Sequence, residues 1–342
     1  MQPYFERTEA DAAFYSSHIR DRLPPRILDV HVHLNLPEHV RDVPEERVLS
    51  DWAMECGHVL PVEDAGRCAA ELFPGVDYGL VGFPFPIREA NLKENNLYLA
   101  RKQKDGLVAA FMCVKPEWDP EEVERELVEG GFAGFKPYPD MVSGRKGAQI
   151  AIPEFIPPRQ WEILERQKKA VMLHIPRAGR LSDADNVREL RELRERYPHV
   201  RIVIAHFGRS FCPIYLSEGL RKLGDTAGFY FDTSGVINPA VYDIAFSCID
   251  PSTILFGTDM PIFFWHGRRE WTETTYINLT REPFSWNRNR RSPDIEASYT
   301  LFLYEQAKSI LDAMDHHHFT AAQKLAVFHD NARRVLDKAL AL

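Results

Sequence analysis

Several histidines and one aspartate at the ends of apolar runs are the residues in this sequence best suited to chemistry. His31 and His33 stand two apart in one run, so they point to the same side of an extended chain. His174, His206 and Asp259 each end another apolar run. Imidazole and carboxylate together form a ligand set suited to Zn²⁺, Mn²⁺ or Fe²⁺. These residue types indicate a divalent metal site if the fold brings the run ends together.

Eight short apolar runs predict the strands that must position these residues. Each run is rich in Val, Ile, Leu and Phe, and most lack polar alternation, which is typical of a parallel sheet buried on both faces. The predicted strands are Ile27–His31, Tyr78–Phe83, Leu107–Val114, Ala133–Lys136, Val171–His174, Arg201–His206, Gly228–Asp232 and Thr253–Asp259. Between them, helical spacing predicts Ala90–Lys104, Pro120–Gly130, Pro158–Lys169, Asp183–Tyr197, Pro213–Leu223 and Pro239–Ile249.

Strand and helix alternate eight times, which indicates an α/β fold of the (β/α)₈ TIM-like barrel type, distorted by extra loops at its C-terminal face. We expect one domain over residues 1–342, ending in two helices, Tyr299–Met314 and Thr320–Leu340, with Thr320 as N-cap. Ser50–Pro61 is predicted as irregular chain after the first strand. A doubly wound open sheet is the alternative, but no glycine-rich phosphate turn follows the first strand.

In a barrel the carboxyl ends of the strands face the mouth, where catalytic groups collect. We therefore predict His31, His33, His174 and Asp259 as ligands of one divalent ion. Asp259 would also take the proton of an activated water, and His206 would polarise a substrate carbonyl or relay a proton. Each residue alone could be a core histidine or a turn aspartate, but together they would carry a large desolvation cost without a shared metal.

Other strand-end residues are candidates for substrate binding. Lys136 could form a structural ion pair, bind an anionic substrate, or be carbamylated and bridge two metals, and Tyr138 follows it closely. Arg177 and Arg209 each stand three residues beyond a strand-end histidine, where a guanidinium could bind a substrate carboxylate or simply be solvated. The run 316–318 is three histidines, which we interpret as an exposed helix start.

The segment 262–298 has no clear periodicity, but it is dense in aromatic and arginine residues. Such an insertion indicates a lid or an interface. The chain has 342 residues and a net charge of −8, which argues against nucleic acid as a partner. No apolar stretch is long enough to cross a membrane, the N-terminus lacks a signal-peptide pattern, and the five cysteines show no metal or disulfide spacing. We expect a cytoplasmic protein with a small-molecule substrate.

Taken together, the motifs resemble the amidohydrolase superfamily, in the amidohydrolase-related branch that includes aminocarboxymuconate-semialdehyde decarboxylase. They are Asp29-Val30-His31-Val32-His33, Gly134-Phe135-Lys136, Leu173-His174, Ala205-His206-Phe207-Gly208, Phe231-Asp232-Thr233-Ser234, Phe256-Gly257-Thr258-Asp259-Met260-Pro261 and Asn331-Ala332-Arg333-Arg334-Val335-Leu336. The resemblance implies a distorted barrel with the four ligands named above and with His206 as the catalytic or auxiliary histidine. It also implies a homodimer, since many members of the branch are dimers.

Members of this branch hydrolyse amides or lactones, decarboxylate unsaturated or aromatic acids, or hydrate double bonds. From the residues and the resemblance we predict a metal-dependent hydrolase of a small, anionic, carboxylated substrate, with one ion, Zn²⁺ first and Mn²⁺ or Fe²⁺ as alternatives. A non-oxidative decarboxylase using the same site is the second hypothesis. A non-catalytic binding protein that uses the aromatic and arginine segment is the third.

Overall fold

The structure is a computed structural model that describes residues 4–145 and 147–340. Its central feature is a parallel sheet of eight strands, each paired with the next along the chain. The strands are β1 (Arg26–His33), β2 (Asp77–Phe83), β3 (Ala109–Cys113), β4 (Gly134–Lys136), β5 (Ala170–Leu173), β6 (Arg201–Ile204), β7 (Phe229–Asp232) and β8 (Ile254–Leu255). All eight predicted strands are present. The last is shorter than predicted, because its pairing with β7 covers two residues.

The sheet closes on itself through the chain that follows β8. The amide of Val30 donates to the carbonyl of Phe256 at 3.0 Å, and the amide of Asp259 donates to that of His31 at 2.9 Å. The amide of His33 donates to the carbonyl of Met260 at 2.8 Å. These bonds join the last strand to the first, which confirms the predicted (β/α)₈ barrel.

Helices cover the outside of the barrel. Several begin where the local sequence favours it, with proline in the first turn or with a capping side chain such as Asp119 or Asp183. The helices are α1 (Glu9–His18), α2 (Glu45–Leu49), α3 (Trp52–Cys56), α4 (Val62–Leu72), α5 (Leu92–Lys102), α6 (Pro120–Glu129), α7 (Ile152–Phe155), α8 (Pro158–Arg166), α9 (Ala184–Arg196), α10 (His206–Arg209), α11 (Pro213–Leu223), α12 (Pro239–Cys248), α13 (Pro293–Ala297), α14 (Phe302–His316), α15 (Ala321–Leu325) and α16 (Asn331–Leu340).

The last helix closes one end of the barrel. Val335 and Leu336 of α16 belong to the same buried apolar cluster as Leu28 and Met172 of the strands. Lys169, just before β5, donates from Nζ to the carbonyl of Ala339 at 2.8 Å. Thus α16 covers the end at which the strands begin, opposite the end that carries the predicted site.

Two segments contain more regular structure than their sequences indicated. The predicted irregular segment Ser50–Pro61 contains α3, and the segment 262–298 contains an antiparallel hairpin, β9 (Gly267–Trp271) and β10 (Tyr276–Thr280), followed by α13. Within the described part of the chain, no helix has the length and apolar character needed to cross a bilayer.

Candidate metal centre and its cavity

A bulge in β1 turns His31 and His33 into the barrel. The pairing of β1 with β2 shifts register between Asp29 and Val32, and such bulges re-aim the side chains beyond them. Before the shift, Leu28 packs in the apolar cluster inside the barrel, whereas after the shift Val32 packs in the cluster shared with the surrounding helices. The shift therefore exchanges the faces of odd and even positions, so that His31 and His33 point inward and line a cavity at the mouth.

Asp259 meets both histidines at this cavity. Its Oδ1 lies 2.9 Å from Nε2 of His33 and 3.3 Å from Nε2 of His31. The three ligand atoms lie within 4.8 Å of one another. Asp259 has a left-handed φ of 70°, a conformation that aspartate adopts more readily than most residues. The structure therefore brings three of the predicted ligands into one set.

The surroundings of His31 fit a metal ligand. Its Nδ1 lies 2.9 Å from Oδ2 of Asp232, and metal-binding histidines commonly donate their second N–H to a carboxylate in this way. A proton on Nδ1 leaves the lone pair on Nε2, the nitrogen that faces Asp259. The donor set and this tautomer therefore fit a divalent ion held by His31, His33 and Asp259.

The protonation states of His31 and Asp259 also suit the coordination of a metal ion. Burial lowers the pKa of His31 to about 3, with the charge of Lys136 as a further cause, so the imidazole is neutral at neutral pH. Burial alone would raise the pKa of Asp259, but its neighbours His31 and His33 outweigh burial and hold this pKa well below its usual range. Metal ligands must be deprotonated in this manner.

Asp232 and Ser234 contact the predicted site histidines, although the sequence reasoning did not select them as site residues. Oδ1 of Asp232 accepts hydrogen bonds from the amides of His206, at 2.8 Å, and Ser234, at 3.0 Å, and from the Ser234 hydroxyl. Nδ1 of His206 lies 2.8 Å from the carbonyl oxygen of Ser234, which can only accept, so this nitrogen carries a proton. Asp232 ends β7, so the strand-end criterion applied elsewhere would have found it.

His174 lines the same cavity but is not part of the close ligand set. Its ring centroid lies 5.5 Å from that of His206 and 4.7 Å from that of Tyr138. Its Nδ1 is buried without a hydrogen-bond partner in the described part of the chain, and burial lowers the pKa of His174 well below the usual value. The structure thus places the fourth predicted ligand beside the set rather than in it.

Lys136 ends β4 and is fully buried at the cavity. Its Nζ lies 3.4 Å from Nε2 of His31 and 4.5 Å from the ring centroid of Phe83. Burial lowers its pKa to about 8. Within residues 4–145 and 147–340 no carboxylate lies within ion-pair distance of Nζ, so the structural ion pair considered for Lys136 has no partner here.

Arg209 and Tyr138 both line the cavity. Arg209 ends α10, a turn in which all four residues have left-handed φ angles, between 47° and 68°. Such backbone costs about 1–2 kcal/mol per residue for L-amino acids, and strain of this kind concentrates at functional sites. The Arg209 guanidinium donates to the carbonyls of Pro176 and Arg177 and has no carboxylate within ion-pair distance among the described residues.

Arg177 lies away from the cavity at the barrel mouth. Its guanidinium donates to both carboxylate oxygens of Glu189, at 2.5 and 2.9 Å, and to Oδ1 of Asn186 at 2.8 Å. It is not among the residues that line the cavity. The structure therefore does not bring Arg177 to the site, and its guanidinium instead fastens the loop after β5 to α9.

The cavity itself has a volume of about 170 Å³. The segment 262–298 contributes Ile262, Phe263 and Tyr276 to its wall, and the segment around α3 contributes Asp51 and Trp52. An adjoining cavity of about 390 Å³ shares Tyr138, His174 and Arg209 with it. The insertion thus forms part of the wall of the site.

Comparisons with known proteins agree with this architecture. Similar solved structures include 4-oxalomesaconate hydratase from Rhodopseudomonas palustris, with 16% identity, coverage of 91% of this chain and 96% of that one, and a TM-score of 0.55. A second is 2,6-dihydroxybenzoate decarboxylase from Rhizobium, with 18% identity, coverage of 92% and 99%, and a TM-score of 0.53. A third is dihydroxybenzoic acid decarboxylase from a Polaromonas species with bound manganese and 2-nitroresorcinol, with 16% identity, coverage of 92% and 97%, and a TM-score of 0.54.

At these identities the similarity supports the fold alone. No curated protein matches the chain. The family model described as Amidohydrolase matches residues 29–338, which confirms the resemblance inferred from the motifs. Because this match covers most of the chain, the protein belongs to the amidohydrolase family.

Proposed function

We propose that this protein is a metal-dependent hydrolase that acts on a small carboxylated substrate. The observation that carries the proposal is the convergence of His31, His33 and Asp259 on one small cavity that also holds Lys136 and Arg209. Neither Lys136 nor Arg209 has a carboxylate within ion-pair distance among the described residues, and two such cations beside a ligand set suit an anionic substrate. The relatives named for 4-oxalomesaconate and dihydroxybenzoate act on compounds of this class.

The proposed metal site consists of His31, His33 and Asp259, with His174 as the fourth ligand. Zn²⁺ is the proposed ion, with Mn²⁺ or Fe²⁺ as alternatives, since imidazole and carboxylate ligands accept all three. Bound there, the ion supplies Lewis acidity toward water and toward a substrate oxygen. The manganese bound by the Polaromonas relative supports a divalent ion in this fold.

Asp259 moves the proton in the proposed reaction. Its carboxylate accepts the proton of a water molecule as the water oxygen forms a bond to the substrate carbonyl carbon. The bond from that carbon to the leaving oxygen or nitrogen then breaks, and Asp259 returns the proton to the leaving atom. The hydrogen bond from Nδ1 to the Ser234 carbonyl orients the His206 ring, and as an imidazolium His206 would stabilise the developing oxyanion by a hydrogen bond from Nε2 without transferring that proton.

The size of the cavity limits the reacting part of the substrate. An apolar cavity of about 150 Å³ holds one benzene ring. The cavity here, at about 170 Å³, suits a reacting group of one ring. Lys136 lies beside the ligands and Arg209 where the two cavities meet, so Arg209 would bind a carboxylate that reaches toward the adjoining cavity. Tyr138 would contact the ring.

Non-oxidative decarboxylation is the second candidate function. It is favoured by the two decarboxylases among the similar structures named above. In this reaction the bond between the substrate carbon and its carboxylate breaks and CO₂ leaves, and Asp259 passes to the carbon a proton that it first takes from a water molecule or from a substrate hydroxyl. The same ligands and the same cations would serve both reactions.

A paired assay tests the proposal. Chelator-treated protein is loaded with Zn²⁺ or Mn²⁺ and offered carboxylated lactones and amides in one panel and hydroxybenzoic acids in another. Ring opening or amide cleavage without CO₂ release supports the hydrolase, whereas CO₂ release alone replaces it with the decarboxylase. Asp259→Asn should abolish either activity, and Asp250→Asn, a matched change at an exposed turn, should not. Protein that binds no ion would contradict both functions.

A further inference from the structure

We propose a second divalent-metal site in the outer layer of helices, formed by Asp243, His316 and His317. Asp243 lies on α12, His316 is the last residue of α14, and His317 directly follows it. One ligand atom from each residue lies within 4.8 Å of the others. None of the three residues lines the cavity at the barrel mouth, so this cluster is separate from the proposed active site.

The spacing of the ligand atoms is close to that around a metal ion. Nδ1 of His316 lies 3.0 Å, and Nε2 of His317 lies 3.3 Å, from the same oxygen, Oδ1 of Asp243. Ligand atoms bound tetrahedrally at zinc distances are about 3.3 Å apart. The two nitrogens lie within 4.8 Å of each other, so a rearrangement of the exposed His316 side chain would bring all three atoms around one cation.

Hydrogen bonding by itself leaves this cluster incompletely satisfied. Nε2 of His317 is buried and makes no hydrogen bond to any residue that the structure describes, although it faces the carboxylate of Asp243. The His317 ring is held edge-on against Phe246 of α12, with centroids 5.9 Å apart, so packing keeps this nitrogen in place. A bound cation would supply the partner that the nitrogen lacks.

The cluster is also accessible to an ion. The side chain of His316 is 73% exposed and that of Asp243 is 42% exposed, whereas that of His317 is 21% exposed. The inner nitrogen is thus fixed, and the outer two ligands face solvent. An ion can enter from that side and complete its coordination with water.

The ligand types define the class of ion. Two imidazoles and one carboxylate suit Zn²⁺, and also Co²⁺, Ni²⁺ and Cu²⁺, whereas Ca²⁺ and Mg²⁺ prefer oxygen ligands. Because the ligands come from two helices, a bound ion would fasten the end of α14 to α12. The role proposed for the ion is to stabilise this contact between the helices.

The histidine run lies in a different place from the one predicted from the sequence. The sequence predicts an exposed helix start for this run, but His316 ends α14 and His317 is the residue that caps it. Thr320 begins the next helix as predicted, with its side chain accepting from the amide of Gln323. A helix end brings two adjacent histidines toward a neighbouring helix, which an exposed start would not do.

Counting bound ions tests the second site. Chelator-treated protein is titrated with Zn²⁺ in competition with a chromophoric chelator, and bound zinc is measured after desalting. The wild type should bind one equivalent more than the double variant His316→Ala/His317→Ala. Asp243→Asn, which changes no histidine, should weaken this second equivalent at least tenfold.

Two controls keep the test specific. His318→Asn changes the third histidine of the run, which is outside the cluster, and asparagine tolerates its left-handed φ of 55°. This variant should bind as many ions as the wild type. His33→Ala should lose the equivalent at the barrel mouth and keep the one at the helices, so the two sites succeed or fail separately.

Stability gives a second readout. Zn²⁺ should raise the Tm of His33→Ala protein by roughly 2–4 °C, and the same background with His316→Ala/His317→Ala should show no rise. Equal zinc stoichiometry in the wild type and the double variant would overturn the proposal. An equal loss of zinc in His318→Asn would overturn it as well, because binding would then follow the histidine run and not the cluster.

Discussion

The hydrogen bond between Asp232 and His31 allows a sharp test of how the site is organised. Oδ1 of Asp232 accepts from the amides of His206 and Ser234 and from the Ser234 hydroxyl, while Oδ2 faces Nδ1 of His31. In Asp232→Asn the amide oxygen must stay where the three donors meet, so the amide NH₂ faces His31. Nδ1 of His31 must then accept a hydrogen bond, which moves the ring proton to Nε2, the nitrogen required for metal binding.

The expected loss follows from this geometry. Keeping the ligating tautomer would set two N–H groups against each other and would forfeit a hydrogen bond to a carboxylate, at a cost of about 1.5–3 kcal/mol. This cost corresponds to roughly 10- to 150-fold weaker metal binding. Changes to residues that orient metal ligands usually cost about 10- to 100-fold. We therefore expect Asp232→Asn to weaken the ion at the barrel mouth by at least tenfold.

The assay compares the Zn²⁺ affinity of Asp232→Asn with that of the protein that keeps Asp232, by competition with a chelator. Both proteins also carry His316→Ala/His317→Ala, which removes the proposed second site. Nitrogen NMR of the metal-free proteins should show the His31 proton on Nδ1 in the wild type and on Nε2 in Asp232→Asn. Asp250→Asn makes the same charge change at an exposed turn and should leave the affinity within twofold. Wild-type affinity in Asp232→Asn would refute the proposed role of this carboxylate.

Three further predictions concern charged groups, two of them in or beside the site and one elsewhere in the fold. Arg209→Gln should raise KM for a carboxylated substrate by roughly 10- to 100-fold without changing metal stoichiometry. Arg177→Gln should leave KM unchanged and lower Tm by roughly 2–4 °C, because it breaks the pair with Glu189; a matching rise in KM would contradict the assignment. Burial opposes protonation of His266, but hydrogen bonds to Asp11 and Glu282 outweigh burial and raise its pKa to about 9. Since this pKa exceeds the unfolded value of about 6.5, protonated His266 contributes fully to the free energy of unfolding below pH 6.5, and the contribution is lost as the pH rises through 9. The free energy of unfolding, measured with urea at pH 6, 7.5 and 9, should therefore decrease with pH, and His266→Gln should weaken this dependence.

Local sequence patterns were sufficient to predict the barrel. Buried parallel strands appear as short apolar runs, and the helices that cover them show a periodic apolar face. The insertion was harder to predict, because its hairpin is short and carries little alternation. Gly267–Trp271 includes three charged residues, and its Arg269 is buried by contacts with the rest of the molecule.

The residues of the candidate site, too, could be predicted only in part from the sequence. Arg177 and Arg209 each follow a strand-end histidine by three residues, so the sequence offers no reason to separate them. In the structure the left-handed turn of α10 holds Arg209 at the cavity, whereas Arg177 is paired with Glu189 of α9. The difference arises from a backbone conformation and from a partner on another helix.

The sequence by itself determined the order of strands and helices and the end of the barrel at which the polar residues collect, because both follow from apolar spacing along the chain. Tertiary structure alone decided which of those residues meet. The bulge in β1 directs His31 and His33 inward, the carboxylate of Asp232 sets the tautomer of His31, and the packing of α12 against α14 brings Asp243 to the histidine run. Each of these outcomes depends on backbone geometry or on contacts between segments far apart in the chain, which spacing along one segment does not encode.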